Sequence, residues 1–303
     1  MKKTLLSLAL CLTCSAAFAQ VLDVASVNKI AIPQSNDAVV AGISPLGDYI
    51  LVTNAQNKGL SKFDLATGKV TTITQAAGAG FEAKISDDGS QVVYRETSTR
   101  NHLRASKINK YDFATGAATN LVSESRNIQG VALEGDAAVA INKGKMATKS
   151  LSGRKAKASA PVFSIKNGQL MITRSGRTSV FSPNGKQFSY IWASLSPDQT
   201  KVLYYVCGVG AFVADLNGNI TARLGIVRAP KWYGNDVVVG MHDIDNGEVV
   251  TSSSIVAVDL NGTRQTLTDD SVIAMYPQVS AQTGKIAFST ADGEAYIINI
   301  NNK

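Results

Sequence analysis

Residues that could perform catalysis are few in this chain of 303 residues. Its two histidines, His102 and His242, are far apart in sequence, and no Gly-x-Ser-x-Gly motif is present to place a serine nucleophile. No pair of His, Cys or carboxylate residues has the spacing of a zinc site. We therefore expect no catalytic residue, no metal and no other cofactor, and we interpret both histidines as surface polar residues.

The segment Asp243–Glu248 places hard oxygen donors at alternate positions, Asp243 and Asp245 among them, followed by a glycine. Calcium binds oxygens of this kind, but the segment lacks the full pattern of an EF-hand loop. A solvated hairpin turn explains the same residues and is the interpretation that we favour. The sequence leaves calcium binding by Asp243 and Asp245 open.

Charge is unevenly distributed along the chain, although the net charge is only +7. Residues 137–197 contain ten basic residues and no Asp or Glu. Such a patch attracts anions through its long-range field. A solvated flexible loop over Lys143–Pro161 explains much of the same charge, so both interpretations stay open. The residues predicted to bind anions are Lys149, Arg154, Lys155 and Lys157.

Short strands that recur along the chain must position these residues. A four-strand unit is clearest at Trp192–Leu224, where apolar runs alternate with turns of Gly, Pro, Asn and Asp. The turn after its first strand recurs, with Ser44 and Ser86 separated by 42 residues and Ser196 and Ser280 by twice that distance. A period of about 40–45 residues with four strands per unit is typical of a β-propeller.

The repeats predict one domain, residues 20–303, folded as an all-β propeller of six four-stranded antiparallel blades. Residues 127–183 are assigned to a single third blade, with Lys143–Pro161 as a mobile loop. The sixth blade ends after its third strand, Ala295–Ile300, and would expose an unpaired edge. We predict that Val27–Ile32, from the other end of the chain, pairs with that edge and closes the ring.

Two motifs resemble those of a known family over residues 40–300. Turns such as Ser196-Pro197-Asp198 and third strands such as Lys62–Gly68, together with closing Leu-Thr pairs, resemble the WD40-like repeat of TolB-type propellers of the bacterial cell envelope. The resemblance implies the six-bladed propeller fold and a place in the envelope. It says little about the partner, because one fold hosts many functions.

Alignment of the six first strands identifies residues around one mouth of the central channel. Four positions before the repeated serine stand Val40, Glu82, Gly130, Trp192, Ala229 and Tyr276. Two positions before it stand Gly42, Lys84, Ala132, Ser194, Lys231 and Gln278. An acid, two aromatic rings, two lysines and an amide around one opening could recognise a ligand. The predicted binding residues are Glu82, Lys84, Trp192, Lys231, Tyr276 and Gln278. Trp232, one position further on, is predicted to pack between blades.

The first 19 residues have the features of a secretory signal peptide. Two lysines precede the apolar stretch Leu5–Leu12, and Ala17-Phe18-Ala19 offers a small-x-small cleavage site before Gln20. No later segment reaches the ~20 apolar residues that a membrane span requires. Cleavage after Ala19 would give a periplasmic or secreted protein. Its single cysteine, Cys207, is predicted to lie in the core.

Three functions are consistent with these features. The leading hypothesis is an exported, non-enzymatic binding module, a monomer that recognises an envelope protein or an acidic glycan at the channel mouth or along the basic third blade. Its location outside the cytoplasm argues against nucleic acid as a partner. The alternative is a propeller-type glycan lyase or hydrolase that uses Glu82. A third, an assembly component of the envelope, is implied by the resemblance to TolB.

Overall fold

Short apolar runs separated by glycine and asparagine turns form β-strands throughout a computed structural model that describes residues 20–33, 37–154 and 158–301. One turn of 3₁₀ helix, Ala281–Thr283, interrupts them. The strands pair antiparallel in seven sheets, which are the blades of a β-propeller. We number the blades in chain order, and the first strand of each lies innermost, beside the central channel.

The N-terminal strand β1 (Val24–Ile30) joins blade seven. Blade one contains β2 (Ala38–Ile43), β3 (Tyr49–Asn54), β4 (Leu60–Asp64) and β5 (Val70–Thr74), and blade two contains β6 (Lys84–Ile85), β7 (Gln91–Arg100), β8 (Leu103–Asp112) and β9 (Ala117–Ser125). Blade three contains β10 (Ile128–Glu134), β11 (Ala137–Asn142) and β12 (Lys145–Ser150). Blade four contains β13 (Val162–Lys166), β14 (Gln169–Arg174) and β15 (Arg177–Val180), and blade five contains β16 (Tyr190–Leu195), β17 (Lys201–Val206), β18 (Gly210–Asp215) and β19 (Ile220–Gly225). Blade six contains β20 (Arg228–Tyr233), β21 (Val237–Asp245), β22 (Val250–Asp259) and β23 (Arg264–Thr266). Blade seven contains β24 (Ala274–Ser280), β25 (Lys285–Thr290) and β26 (Ala295–Ile300), together with β1.

The repeated serine turns are shaped by hydrogen bonds within the motif. The Ser196 hydroxyl donates to the Asp198 carboxylate over 2.6 Å and accepts from the backbone N–H of Lys201 over 2.9 Å. Ser86 donates to Asp88 over the same 2.6 Å, and this bond holds the pKa of the Asp88 carboxyl below its usual range. Local bonding of this kind specifies a tight turn after the first strand, which is why the motif is visible in the sequence.

Seven hydrophobic clusters, one for each pair of neighbouring blades, hold the blades together. Phe288 of blade seven packs with Ile255 of blade six, and Ile297 of blade seven packs with Ile50 of blade one. Because the middle strands are buried on both faces, runs such as Val202–Val206 are apolar throughout. The prediction for Trp232 is confirmed, since it packs against the cluster between blades five and six.

The prediction of six blades is wrong, because the ring has seven. Residues 127–183 form two three-stranded blades, and Lys143–Pro161, expected to be a loop, contains β12. Between their first two strands these blades have two-residue turns, such as Asn167-Gly168 with φ of 52° and 76°, in place of the serine turn. Two successive left-handed residues reverse a hairpin directly. The motif on which the count depended is therefore absent from both blades.

The outermost strand of blade seven comes from the other end of the chain. β1 pairs antiparallel with β26, so that Val27 lies opposite Ile298 and Ile30 lies opposite Ala295. The two segments are those that the sequence pairs, although β1 spans Val24–Ile30 instead of Val27–Ile32. Blade seven is therefore a four-stranded sheet.

The proposed signal peptide, residues 1–19, lies outside the described residues. Within residues 20–33, 37–154 and 158–301, no helix has the length and apolar character to cross a membrane. Cys207 is exposed instead of buried in the core, because β17 ends at Val206 and Cys207 begins the turn that follows.

Candidate binding face

The starts of the innermost strands and the turns between second and third strands lie on one face of the ring, which we call the hairpin face. In blade five, Tyr190 at the start of β16 pairs with Val206 at the end of β17, and Val206 pairs with Gly210 across the turn. Antiparallel pairing repeats this arrangement in every blade. The serine turns lie on the opposite face, which we call the serine face.

Four residues that the sequence alignment places at the channel mouth share an unusual backbone conformation. Glu82, Trp192, Ala229 and Tyr276 have φ between 46° and 54°, in the left-handed region. In the inner strands of blades five, six and seven this residue opens a β-bulge, with two residues opposite one. Strain of this kind costs about 1–3 kcal/mol and clusters at functional sites, and bulges redirect side chains. Here Trp192 and Tyr276 are 37% and 39% exposed.

Two hairpins rise above the channel mouth, one from blade two and one from blade six. β7 and β8 continue for about 15 Å beyond Arg95 to the turn Asn101-His102. β21 and β22 continue beyond Met241, which pairs with the start of β20. The exposed charged or titratable residues near the two tips are Arg100, His102 and Arg104 on blade two and Asp245 and Glu248 on blade six. The two hairpins therefore carry opposite charge.

Exposed apolar side chains are concentrated on the hairpin face. Twelve large hydrophobic residues are exposed in the described part of the chain. The eight that lie on the hairpin face are Phe81, Leu103, Trp192, Val209, Ile226, Ile244, Val249 and Tyr276. Of the other four, Leu46, Val70 and Val180 lie toward the serine face and Val27 lies on β1. Clustered exposed apolar surface marks sites of interaction.

A series of contacts links Trp192 to the base of the blade-six hairpin. The Trp192 and Tyr205 rings meet edge to face with their centroids 5.4 Å apart. Arg228 donates to the Asp243 carboxylate over 2.7 Å, and its contact with the Tyr205 hydroxyl and the charges of Asp243 and Asp245 raise its pKa. Because the Asp243 side chain is fully buried, this ion pair anchors the hairpin. The sequence analysis missed Arg228 and Tyr205, since nothing local indicates that they meet.

Arg95 occupies a comparable place at the base of the blade-two hairpin. Its guanidinium lies 5.9 Å from the centroid of the Phe81 ring and donates to the Ile128 carbonyl over 3.4 Å. Burial lowers the pKa of Arg95, and the negative charge of Glu82 acts against that shift. Glu82, a predicted binding residue, is therefore an exposed carboxylate on the rim of the channel, close to Arg95.

Lys84 and Lys231 stand two residues after the left-handed position, on blades two and six. Lys231 is half-buried, and burial, followed by the charge of Lys84, lowers its pKa to about 8 while the charge of Glu82 opposes the shift. The charges of two other predicted binding residues, Lys84 and Glu82, therefore act on Lys231. The same position in the other blades is occupied by Gly42, Ala132, Ser164, Ser194 and Gln278. Ser164 was absent from the alignment because blade four was not recognised. The two-residue turn Asn167-Gly168 is the local signal that could have revealed this blade.

The residues predicted to bind anions are only partly gathered together. Lys149 is exposed on β12 and lines a cleft of about 390 Å³ between β9 and β12, which also includes Glu124. Arg154 is exposed in the segment after β12. Lys155 and Lys157 lie outside the described residues. The described residues include no fourth strand of blade three that would cover β12, and this leaves the cleft open.

The predicted calcium ligands have other partners. Asp243 pairs with Arg228, and the Asp245 carboxylate accepts from the Gly247 N–H over 3.0 Å in the hairpin turn. Among the described residues no group of three or more His, Cys, Asp or Glu side chains could hold a metal ion. His102 and His242 are exposed.

Comparison with known proteins shows likeness of fold only. No family model and no curated protein matches this sequence. A chain in a crystal structure of the mitotic checkpoint complex aligns over 100% of both chains, with 10% identity and a TM-score of 0.60. Two oligogalacturonate lyases, one in complex with manganese and one from Vibrio parahaemolyticus, align over 86% of this chain and 76% of theirs, with 13% and 12% identity and TM-scores of 0.48 and 0.45. The lyase alignments are too distant to bear on function.

Proposed function

We propose that this protein is an exported, non-enzymatic binding module that recognises a protein partner through the hairpin face. The observation that carries the proposal is the gathering of eight of the twelve exposed large hydrophobic side chains on that face. A monomeric protein rarely leaves such residues together in water unless they meet a ligand. The opposite charges of the two hairpins would orient the partner as it docks.

The chemistry of these side chains favours a protein over a glycan. Aromatic rings such as Trp192 and Tyr276 can contact either kind of partner. The aliphatic residues Leu103, Ile244 and Val249, at and near the hairpin tips, offer a sugar few of the polar contacts that it needs, whereas apolar cores are typical of protein interfaces. The left-handed bulges hold Trp192 and Tyr276 in place, and preorganised aromatic residues are frequent hot spots.

The test compares partner capture by variants of the two faces. The mature chain would be immobilised and incubated with envelope extract, and the captured protein would be purified for affinity measurement. Trp192→Ala and Tyr276→Ala should each weaken binding by about 30-fold, which corresponds to a hot-spot energy of ~2 kcal/mol. Melting temperatures should stay close to that of the wild type.

The matched controls are Leu46→Ala and Val70→Ala, which remove exposed apolar side chains from the serine face. Both should bind as the wild type does. Equal losses from the two faces, or undiminished binding by the aromatic variants, would contradict the proposal. Capture of an acidic glycan instead of a protein would change the class of partner.

A glycan lyase or hydrolase is the second candidate, and one observation favours it. With a pKa of about 8, Lys231 is partly neutral near pH 7, as a general base must be, and Glu82 is close by. Turnover of an acidic glycan that is lost in Glu82→Gln or Lys231→Gln would establish this candidate in place of the binding module. A screen of uronate-containing glycans with the wild-type chain is the first step.

Export is part of the proposal and is supported by the signal-like segment at residues 1–19. The resemblance of the repeats to TolB-type propellers supports an envelope location and an envelope protein as partner. Intact mass of the protein purified from its host should correspond to a chain that starts at Gln20. A mass that includes residues 1–19 would contradict export by cleavage.

We also propose that the pairing of β1 with β26 closes the ring. Two features support it, namely the regular ladder from Ser26 to Ile30 and the cluster through which blade seven packs on blade one. A closed ring keeps the bulges of different blades in a constant relation around the channel. A binding face built from several blades depends on that relation.

A further inference from the structure

Lys84 and Lys231 differ from the other half-buried lysines in the described chain, because they lack a partner. Neither forms an ion pair or a hydrogen bond with the described residues. Lys231 instead feels the repulsive charge of Lys84 and the weaker attraction of Glu82. The half-buried lysines that do meet a carboxylate, a carbonyl oxygen or an aromatic ring are Lys62, Lys107, Lys110, Lys201 and Lys285.

Two hydroxyl groups at the same inner-strand position also lack partners. Ser164 is 4% exposed and Ser194 is half-buried, and the Oγ atoms of both are buried without a hydrogen-bond partner among the described residues. Buried polar atoms form hydrogen bonds in the large majority of cases, whereas each of these hydroxyls keeps an unused donor. Gly42 and Ala132, at the equivalent positions of blades one and three, supply no polar side-chain atom.

We propose that the lysine pair, Lys84 and Lys231, receives one carboxylate of the protein partner inside the channel, an inference that rests on the proposed function. The carboxylate belongs to an Asp or Glu side chain or to a chain terminus that projects from the partner. Two ammonium groups and the Ser194 hydroxyl can donate hydrogen bonds to its oxygens, and bonds to charged groups are the stronger kind. Glu82 at the rim repels further negative charge, so a single carboxylate is favoured over a polyanion.

Acetate serves as the probe in the first test, with the mature chain at constant ionic strength. The titration of each lysine is followed through its ¹³Cε chemical shift by NMR. Because acetate binds the ammonium form, it should raise the pKa of Lys231 from about 8 toward the ordinary 10.5. The rise should be about half a pH unit when the acetate concentration is about twice the dissociation constant.

Lys84→Gln tests whether the two lysines act together. The variant should raise the pKa of Lys231 without acetate, since the repulsive charge is gone, and should weaken the acetate response several-fold. Lys69→Gln removes an equal charge from an exposed turn of the serine face and should change neither. Melting temperatures of both variants verify that they fold.

Two results would overturn the inference. An acetate response of Lys231 no larger than that of Lys69, or unchanged in Lys84→Gln, would refute the lysine pair as a site. A larger response to inorganic phosphate than to acetate would refute the assignment to a carboxylate.

Partner capture separates this inference from the function on which it rests. If Trp192→Ala abolishes capture while Lys84→Gln and Lys231→Gln bind as the wild type does, the hairpin face is the binding surface and the carboxylate site is refuted. If Trp192→Ala captures normally while acetate acts as expected, the proposed function fails and the lysine pair is an anion site without that partner. Loss of capture in both sets of variants, together with the acetate response, is the expected result.

Discussion

Replacement of Lys231 by methionine should stabilise the protein, although it removes a residue of the candidate site. Burial and, after it, the charge of Lys84 lower the pKa of Lys231 to about 8 from the ordinary 10.5. Methionine keeps most of the length of the side chain and its apolar contacts, and it carries no charge. The substitution therefore removes the desolvation and the repulsion together.

The size of the effect follows from the shift in pKa. At ~1.4 kcal/mol for each pH unit, a shift from 10.5 to about 8 corresponds to about 3 kcal/mol against the folded state when the lysine is charged. Because the side chain keeps some contact with water in the channel, we expect a gain of about 1–3 kcal/mol. The folded protein binds the proton less tightly than the unfolded chain does. The wild-type penalty is therefore complete below pH 8 and is relieved as the pH rises from about 8 to 10.5.

Urea unfolding of the wild type and of Lys231→Met over this pH range measures both the size and the sign. The variant should be more stable at pH 7, and its advantage should shrink toward pH 10 as the wild-type lysine loses its proton. Lys69→Met, at an exposed turn, should differ from the wild type by less than about 0.5 kcal/mol at any pH. Destabilisation by Lys231→Met at pH 7, or an advantage that does not change with pH, would refute the reasoning.

Three further predictions concern packing, the chain ends and the basic segment. Trp232→Ala should lower the free energy of unfolding by about 3 kcal/mol, because the ring packs between blades five and six. Trp192→Ala should change it by less than about 1 kcal/mol. Urea midpoints in the opposite order would show that the register assigned to the first strands is wrong. Deletion of residues 21–30 should lower the melting temperature and promote aggregation, measured by light scattering, since β26 becomes an open edge. An unchanged melting temperature would exclude a role for β1 in closing the ring. Serine at the four basic positions should reduce retention on heparin without changing the melting temperature, and unchanged retention would favour a merely solvated segment; the positions are Lys149, Arg154, Lys155 and Lys157.

Features that depend on local interactions could be predicted from the sequence. The serine turns are specified by hydrogen bonds over two to five residues, such as those from Ser196 to Asp198 and from Lys201 to Ser196. Alignment on these turns placed Glu82, Trp192, Ala229 and Tyr276 at one position of the inner strands, and all four adopt the same left-handed backbone. Regular strand length transmits the register from the turn to the other face.

Where the local signal changes, the sequence analysis failed. Blades three and four reverse their first hairpins with two-residue turns, Gly135-Asp136 and Asn167-Gly168, and each has three strands among the described residues. The prediction of six blades followed from this, and Ser164 was not included among the residues predicted to surround the channel. In blade six only a solvated turn over Asp243–Glu248 was predicted, because the length of that hairpin depends on pairing between β21 and β22.

The propeller class, the serine turns and the equivalent positions of the inner strands could be predicted from the amino-acid sequence alone, since each depends on residues close together in the chain. Other features depend on contacts between distant segments and required the folded structure. They are the number of blades, the gathering of apolar side chains on the hairpin face, the burial of Asp243 against Arg228 and the effect of the Lys84 charge on Lys231. Lys84 and Lys231 are separated by about half of the chain. The charge of Lys84 acts on Lys231 because seven blades packed in a ring bring blade two and blade six to the same channel, where burial weakens the screening by water.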